Sequence, residues 1–313
     1  MLNEFVKEII MIPYFLKKIG MAVFQMHRFF HKPVSPKLVM TLLVKNEEFM
    51  LEQNLLFHKS MGVDYFIVTD NNSTDSTMEI LRKYQQKGWI LEIIEETAEN
   101  YDQKKWVDRM IWKAKQTYHA DWVINADADE LWHSPSGNIK NELKTAKGNV
   151  LECKVNSVYP EEGKPFWKWN YKVEYVLNHE MYNLSQYSIF ERQNKKVIHR
   201  TDGYLQISMG NHKVGMCPLW KQQCDIQVYH YTVRGRKAFI EKMINGGQQL
   251  EQRKKKHGGR HWRYFYQLYK ENKLEEEYKR VIGEEFFKQL KADGFIIPDS
   301  TISDYFSSVL KYD

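Results

Sequence analysis

The chain has 313 residues, 42% of them hydrophobic and 27% charged, with a formal net charge of +6. That is ordinary for a soluble globular protein and enough chain for one large α/β domain with an appendage, or for two modest domains. Cys153, Cys217 and Cys224 form no disulfide framework or metal-ligand spacing, no uncharged apolar run approaches the ~20 residues of a spanning helix, and so modest a basic excess predicts no nucleic-acid partner.

Residues 1–32 read as two short amphipathic helices broken at Pro13. Leu2, Phe5, Val6 and Ile9 recur at helical spacing, then Phe15, Leu16, Ile19, Val23 and Met26, with Lys7, Lys17, Lys18 and Arg28 alongside. Such a segment suits a membrane interface, or a dock on the protein's own core or on a partner. Glu4 and Glu8, and the lack of a small-residue cleavage site, argue against a secretory leader. The sparse, odd cysteine count suits a reducing compartment. The expected location is the cytoplasm, peripheral on the inner face of a membrane.

After the linker "KPVSPK" a rhythm begins. Strands are predicted over 38–44, 64–70, 89–95 and 121–127, alternating with helices over 46–62, 73–88 and 101–119. In the third helix Trp106, Val107, Met110, Ile111 and Ala114 share one face. Strands alternating with long helices imply βαβ units and a parallel sheet, whose ligands gather beyond the carboxyl ends of the strands. The second half is less regular, with strand-like stretches at 149–160, 172–178, 204–208 and 225–231, and helix from Arg236 onward. Gly246, Gly247, Gly258 and Gly259, around the basic block 253–263, read as loops.

Two strand ends carry chemistry. "WVINADADEL" runs from a buried strand into Asp127, Asp129 and Glu130. Three acids so close repel one another unless something positive sits among them. Carboxylates suit Mg²⁺ or Mn²⁺, and such an ion can hold a diphosphate; the bland alternative is an exposed turn or a helix cap. "IVTDNNSTDST" places Asp70, Asn71 and Asn72 where a base and ribose could be read by hydrogen bonds, or where a simple Asx turn forms. Ser73 or Thr74 is expected to perform the local turn and cap work.

The segments "VMTLLVKNEEF…IVTDNNSTDST" and "WVINADADEL" together resemble the family 2 nucleotide-diphospho-sugar glycosyltransferases, densely over residues 38–133 and in fragments to about 250. The resemblance implies a GT-A fold: a mixed, mainly parallel sheet flanked by helices, here over residues 33–235, with 1–32 an N-terminal segment and 236–313 a helical extension. It implies transfer of a sugar from a nucleoside-diphosphate donor to a glycan or lipid-linked acceptor by a Mn²⁺- or Mg²⁺-dependent, inverting reaction, such as surface-polysaccharide or lipooligosaccharide assembly uses. The metal motif falls on Asp127 and Asp129, with Glu130 adjoining. The base-reading position falls on Asp70 or Asn71, where relatives often carry two aspartates, and Glu47 lies near the nucleotide. His230 matches a late histidine that reaches the metal or diphosphate, with His212 its competitor, and Arg234, Arg236 and Lys237 could grip phosphate.

A direct displacement needs a carboxylate base; Glu180, Asp202, Glu161 and Glu162 are the candidates. Phe166, Trp167, Trp169 and Tyr171 form either an acceptor-side aromatic loop or an apolar staple for that loop. Two rival readings stand beside this one. A sugar nucleotidyltransferase would open with a Gly-rich loop after the first strand, where this chain reads "LLVKNEEF". A non-catalytic basic protein binding membranes or nucleic acid leaves the acids unexplained.

Overall fold

The computed structural model describes residues 16, 18–23, 33–97, 102–185, 189–251 and 260–312. Most of the expected N-terminal helices, and residues 253–259 of the basic block, lie outside the described residues. The chain forms two compact units, one of residues 1–155 and 194–228, the other of 156–193 and 229–313.

The first unit carries the predicted alternation: β1 (Leu38–Val44), α1 (Leu51–Ser60), β2 (Tyr65–Asp70), α2 (Thr77–Gln86), β3 (Ile90–Glu95), α3 (Gln103–Gln116) and β4 (Trp122–Asp127). β1 is central, flanked in parallel by β2 and β4, and β3 extends the parallel run beyond β2. Its sequence LVMTLLV is apolar on both faces, as a strand covered on both sides requires. The predicted face of α3 is the one it buries: Trp106, Val107, Met110, Ile111 and Ala114, the last four packing in one core with Val39, Ile67 and Val123. Each such large apolar side chain contributes about 1.5–3 kcal/mol by leaving water.

After β5 (Glu130–His133) and α4 (Ile139–Thr145) come β6 (Val150–Val158) and, past a long excursion, β8 (Lys196–Arg200). β8 is antiparallel to both β4 and β6, which makes the sheet mixed but mainly parallel. A buried polar line crosses it: the Thr41 hydroxyl donates to Asn125 Oδ1 (2.7 Å), and Asn125 Nδ2 donates to His199 Nε2 (3.0 Å). β9 (Tyr204–Ile207) and β10 (Val214–Met216) form a separate hairpin, and β11 (Lys221–His230) runs out of the unit.

Of the N-terminal segment, the described helical piece at 18–23 docks on this unit. Lys18 Nζ lies 3.0 Å from Asp108 Oδ2 and 4.8 Å from the Trp112 ring centre. Among the described residues no helix is long and apolar enough to cross a membrane.

In the second unit β7 (Tyr171–Val173) pairs antiparallel with the end of β6 and with β12 (Ile296–Pro298). The expected strand 172–178 is thus much shorter. Helices α5 (Arg236–Glu251), α6 (Arg260–Lys270), α7 (Leu274–Ile282), α8 (Glu284–Ala292) and α9 (Thr301–Ser308) complete it. Gly246 and Gly247 lie inside α5, not in a loop. Their missing side chains make room for α6, since a Cβ on Gly246 would meet Trp262 at 2.5 Å and one on Gly247 would meet Tyr266 at 2.2 Å. Phe166 and Trp169 are buried, Phe166 against Tyr231 and Phe306, which is the apolar-staple alternative for that loop.

Candidate active site

Strand register brings the acidic strand ends to one edge. Asp127 is level with Leu43 of β1, Val44 with Asp70 of β2, and Asp70 with Glu95 of β3. β2 and β4 flank β1, so Asp70 and Asp127 lie two strand spacings apart, about 10 Å.

The acid turn is held from below. Asn54 of α1 donates from Nδ2 to the carbonyls of Ala128 and Glu130, both at 2.9 Å. His58, one helical turn on, meets Asn54 O through Nδ1 (2.9 Å) and accepts the Trp132 amide proton on Nε2 (3.0 Å). These partners fix a neutral tautomer, and burial pushes the His58 pKa down to about 3.

The positive charge the acids require is Lys196, the first residue of β8. Its ammonium lies 2.6 Å from Glu130 Oε1 and 3.1 Å from Asp127 Oδ2. Burial works against its charge, yet Asp127 and Glu130 outweigh burial and hold it protonated above the ordinary lysine range. Glu130 is fully buried, and its Oε2 also accepts the Asp127 amide (3.3 Å). Asp129 is buried too, whereas a third of the Asp127 side chain is open. Asp127, Asp129 and Glu130 thus gather three carboxylates at the end of β4, two of them paired with the Lys196 ammonium. Among the described residues no three His, Cys, Asp or Glu side chains converge as a metal cage. Mg²⁺-type sites commonly use one or two carboxylates, with waters and substrate phosphates completing the shell, so the donor set fits such an ion.

The model of glycosyltransferase family 92 matches residues 39–290. The chain belongs to that family. It is therefore a glycosyltransferase, as the resemblance to family 2 implied. No curated protein matches the sequence. Among solved structures, S. aureus TarS 1-349 shares 14% identity over 82% of this chain and 75% of its own, at a TM-score of 0.41. The same protein in complex with UDP shares 15% over 88% and 75%, at 0.39. A mannosyltransferase, PcManGT from Pyrobaculum calidifontis, in complex with GDP-Man and Mn²⁺, shares 13% over 91% and 86%, at 0.40. None reaches a TM-score of 0.5, so none bears on what the family 92 chain binds.

The other expected residues of this family 92 chain fall as follows. Asp70 is buried and accepts from Ser73, hydroxyl to Oδ1 (2.5 Å) and amide to Oδ2 (3.1 Å). Neither Ser73 nor Thr74 caps the next helix: its N-cap is Ser76, without a side-chain hydrogen bond, and Asp75 Oδ1 accepts from Thr77 N (3.0 Å). Asn71 is buried beside Asp70, and Asn72 is exposed in a left-handed conformation (φ 53°). Glu47 is half-buried, its amide donating to Thr77 Oγ1 (2.8 Å). His212 shares the acids' unit, and its Nδ1 lies 3.1 Å from the carbonyl of Lys195, next to Lys196.

Asp202 pairs loosely with Arg200 (3.8 Å), and Arg200 is level with Trp122, the opposite end of β4 from Asp127. Five residues of strand separate those ends by about 16 Å. His230, Arg234, Lys237, Glu180, Glu161 and Glu162 belong to the second unit. There His230 Nδ1 lies 3.3 Å from Thr232 Oγ1, and Lys237 and Glu180 are exposed. Glu161 binds Lys164 and the Asn170 amide, and Glu162 accepts from Tyr278, so both are engaged in holding their own unit.

Proposed function

We propose that the chain transfers a sugar from a nucleoside-diphosphate donor to a glycan or lipid-linked acceptor, with inversion, and that it uses Mn²⁺ or Mg²⁺ held by Asp127 and Asp129. The observation that carries this is the acid turn at the carboxyl end of β4, where three carboxylates gather at the sheet edge that Asp70 shares. A divalent ion there would take up negative charge on the departing diphosphate. Asp70 and Asn71 would read the nucleoside about two strands away, and Glu47 would line the same edge.

The acceptor proton needs a carboxylate. Glu180, in the second unit, and Asp202, loosely paired with Arg200 (3.8 Å), stay as the candidates for this base. Attachment to the inner face of a membrane is supported by Leu16 and Val23, 60% and 52% exposed on the N-terminal helical piece.

The test is a screen of labelled nucleotide sugars for hydrolysis and transfer with Mn²⁺ and with EDTA. Asp129→Asn is expected to lose at least about a hundredfold in rate while melting as the unaltered chain does. Full activity of that folded variant overturns the metal assignment. Glu180→Gln is expected to lower kcat by about 10²–10⁴ with donor KM unchanged; an unchanged kcat removes Glu180 from the role.

A further inference from the structure

Lys196 is the one residue of the acid turn that no motif points to. It is 4% exposed at its side chain, and Glu130 beside it is 0% exposed. An ammonium has three protons to donate. Among the described residues two carboxylates meet this one, Glu130 Oε1 as an ion pair at 2.6 Å and Asp127 Oδ2 as a hydrogen bond at 3.1 Å. The two contacts are unlike. Glu130 is enclosed, its Oε1 ion-paired with Lys196 and its Oε2 accepting the Asp127 amide. Asp127 gives Lys196 one oxygen at the longer distance and keeps a third of its side chain open. Strand pairing fixes the lysine, since β8 is in register with β6 at Cys153 and with β4 from Ile124.

We propose that Lys196 is a positioning residue of the transfer site. Its ammonium is the resident cation of the acid turn, tying Asp127 to Glu130 when no divalent ion is bound and competing with that ion for Asp127 when one arrives. The competition follows from charge. A cation that reaches Asp127 comes within a few ångströms of the Lys196 ammonium, and like charges about 4 Å apart at an effective dielectric of about 20 differ in binding by well over a factor of ten. The contact to Asp127 gives way and the enclosed contact to Glu130 persists. A diphosphate brings further negative charge, relieves the repulsion and favours simultaneous loading of ion and donor. This inference rests on the metal assignment proposed above and adds to it the residue that sets metal affinity.

The test is Mn²⁺ binding to the full chain, read as free Mn²⁺ by electron paramagnetic resonance, with Mn²⁺ alone and with UDP or GDP present. Lys196→Met is expected to bind Mn²⁺ alone at least about tenfold more tightly than the unaltered chain. Lys196→Arg, which keeps the charge, is expected to bind as the unaltered chain does. Asp127→Asn on the Met background is expected to erase the gain, which a merely structural lysine would not require. Lys196→Gln, which loses the charge but keeps a donor, carries the same reading if Met prevents folding, with melting curves confirming the folded state. Equal or weaker Mn²⁺ binding by a folded, uncharged variant overturns the proposal and leaves the metal assignment standing. Failure of every variant and of the unaltered chain to bind Mn²⁺, with or without nucleotide, overturns both.

Discussion

His58 and Asn54 show how the acid turn is placed by residues that never meet substrate. Asn54 spends both amide protons on the turn's carbonyls, and His58 ties Asn54 to the Trp132 amide. Removing the Asn54 side chain orphans two buried carbonyls, each costing about 1–3 kcal/mol. Asn54→Ala is therefore expected to lower the urea midpoint and also cut transfer activity, because Asp127 and Asp129 lose their footing; full activity would separate the turn from its support. At this scale the sequence was half legible. Asp127 and Asp129 announce themselves because acids follow a buried strand directly. Lys196 is 69 residues from Asp127, and Asn54 is 74 from Ala128. No local pattern links residues so distant, although the need for a positive partner was itself readable from three adjacent charges.

The first four strands and three helices were legible because their patterns are long and uninterrupted. β8 was not: KVIHR carries only two apolar residues between a lysine, a histidine and an arginine. All five are buried, so the strand exists because its neighbours cover it and its polar side chains find partners. The glycine pair in α5 misled in the opposite direction. Glycine lowers helix propensity, so Gly→Ala inside a helix ordinarily stabilises by about 1 kcal/mol. Here the added methyl group would strike Tyr266, at 2.2 Å from its Cβ. Gly247→Ala is expected to destabilise instead, by about 1–3 kcal/mol as overpacking does. A raised melting temperature for that variant would show that α5 and α6 do not pack this closely.

Across the whole chain, acid sensitivity follows from buried imidazoles. Burial pushes the pKa of His58 to about 3 and of His199 to about 4, both below the ordinary value of 6.5. The unfolded chain takes up protons as the pH falls through about 6.5, whereas the folded chain refuses them until far lower, so stability is intact above that pH and drains away below it. At pH 5 each histidine is expected to have removed about 2 kcal/mol. Urea midpoints at pH 7.5 and pH 5 check this, and equal midpoints would refute it.

The loops after β1 and β2 are stitched together. Asn46 donates its amide to Ser73 and accepts from Thr74, while Glu48 donates its amide to Asp75 and accepts from Ser76. Neither loop can shift without dragging the other. A nucleoside seated at Asp70 should thus slow amide hydrogen exchange in residues 45–50 as well as in 70–76, carrying news of occupancy along the rim to a loop it never touches.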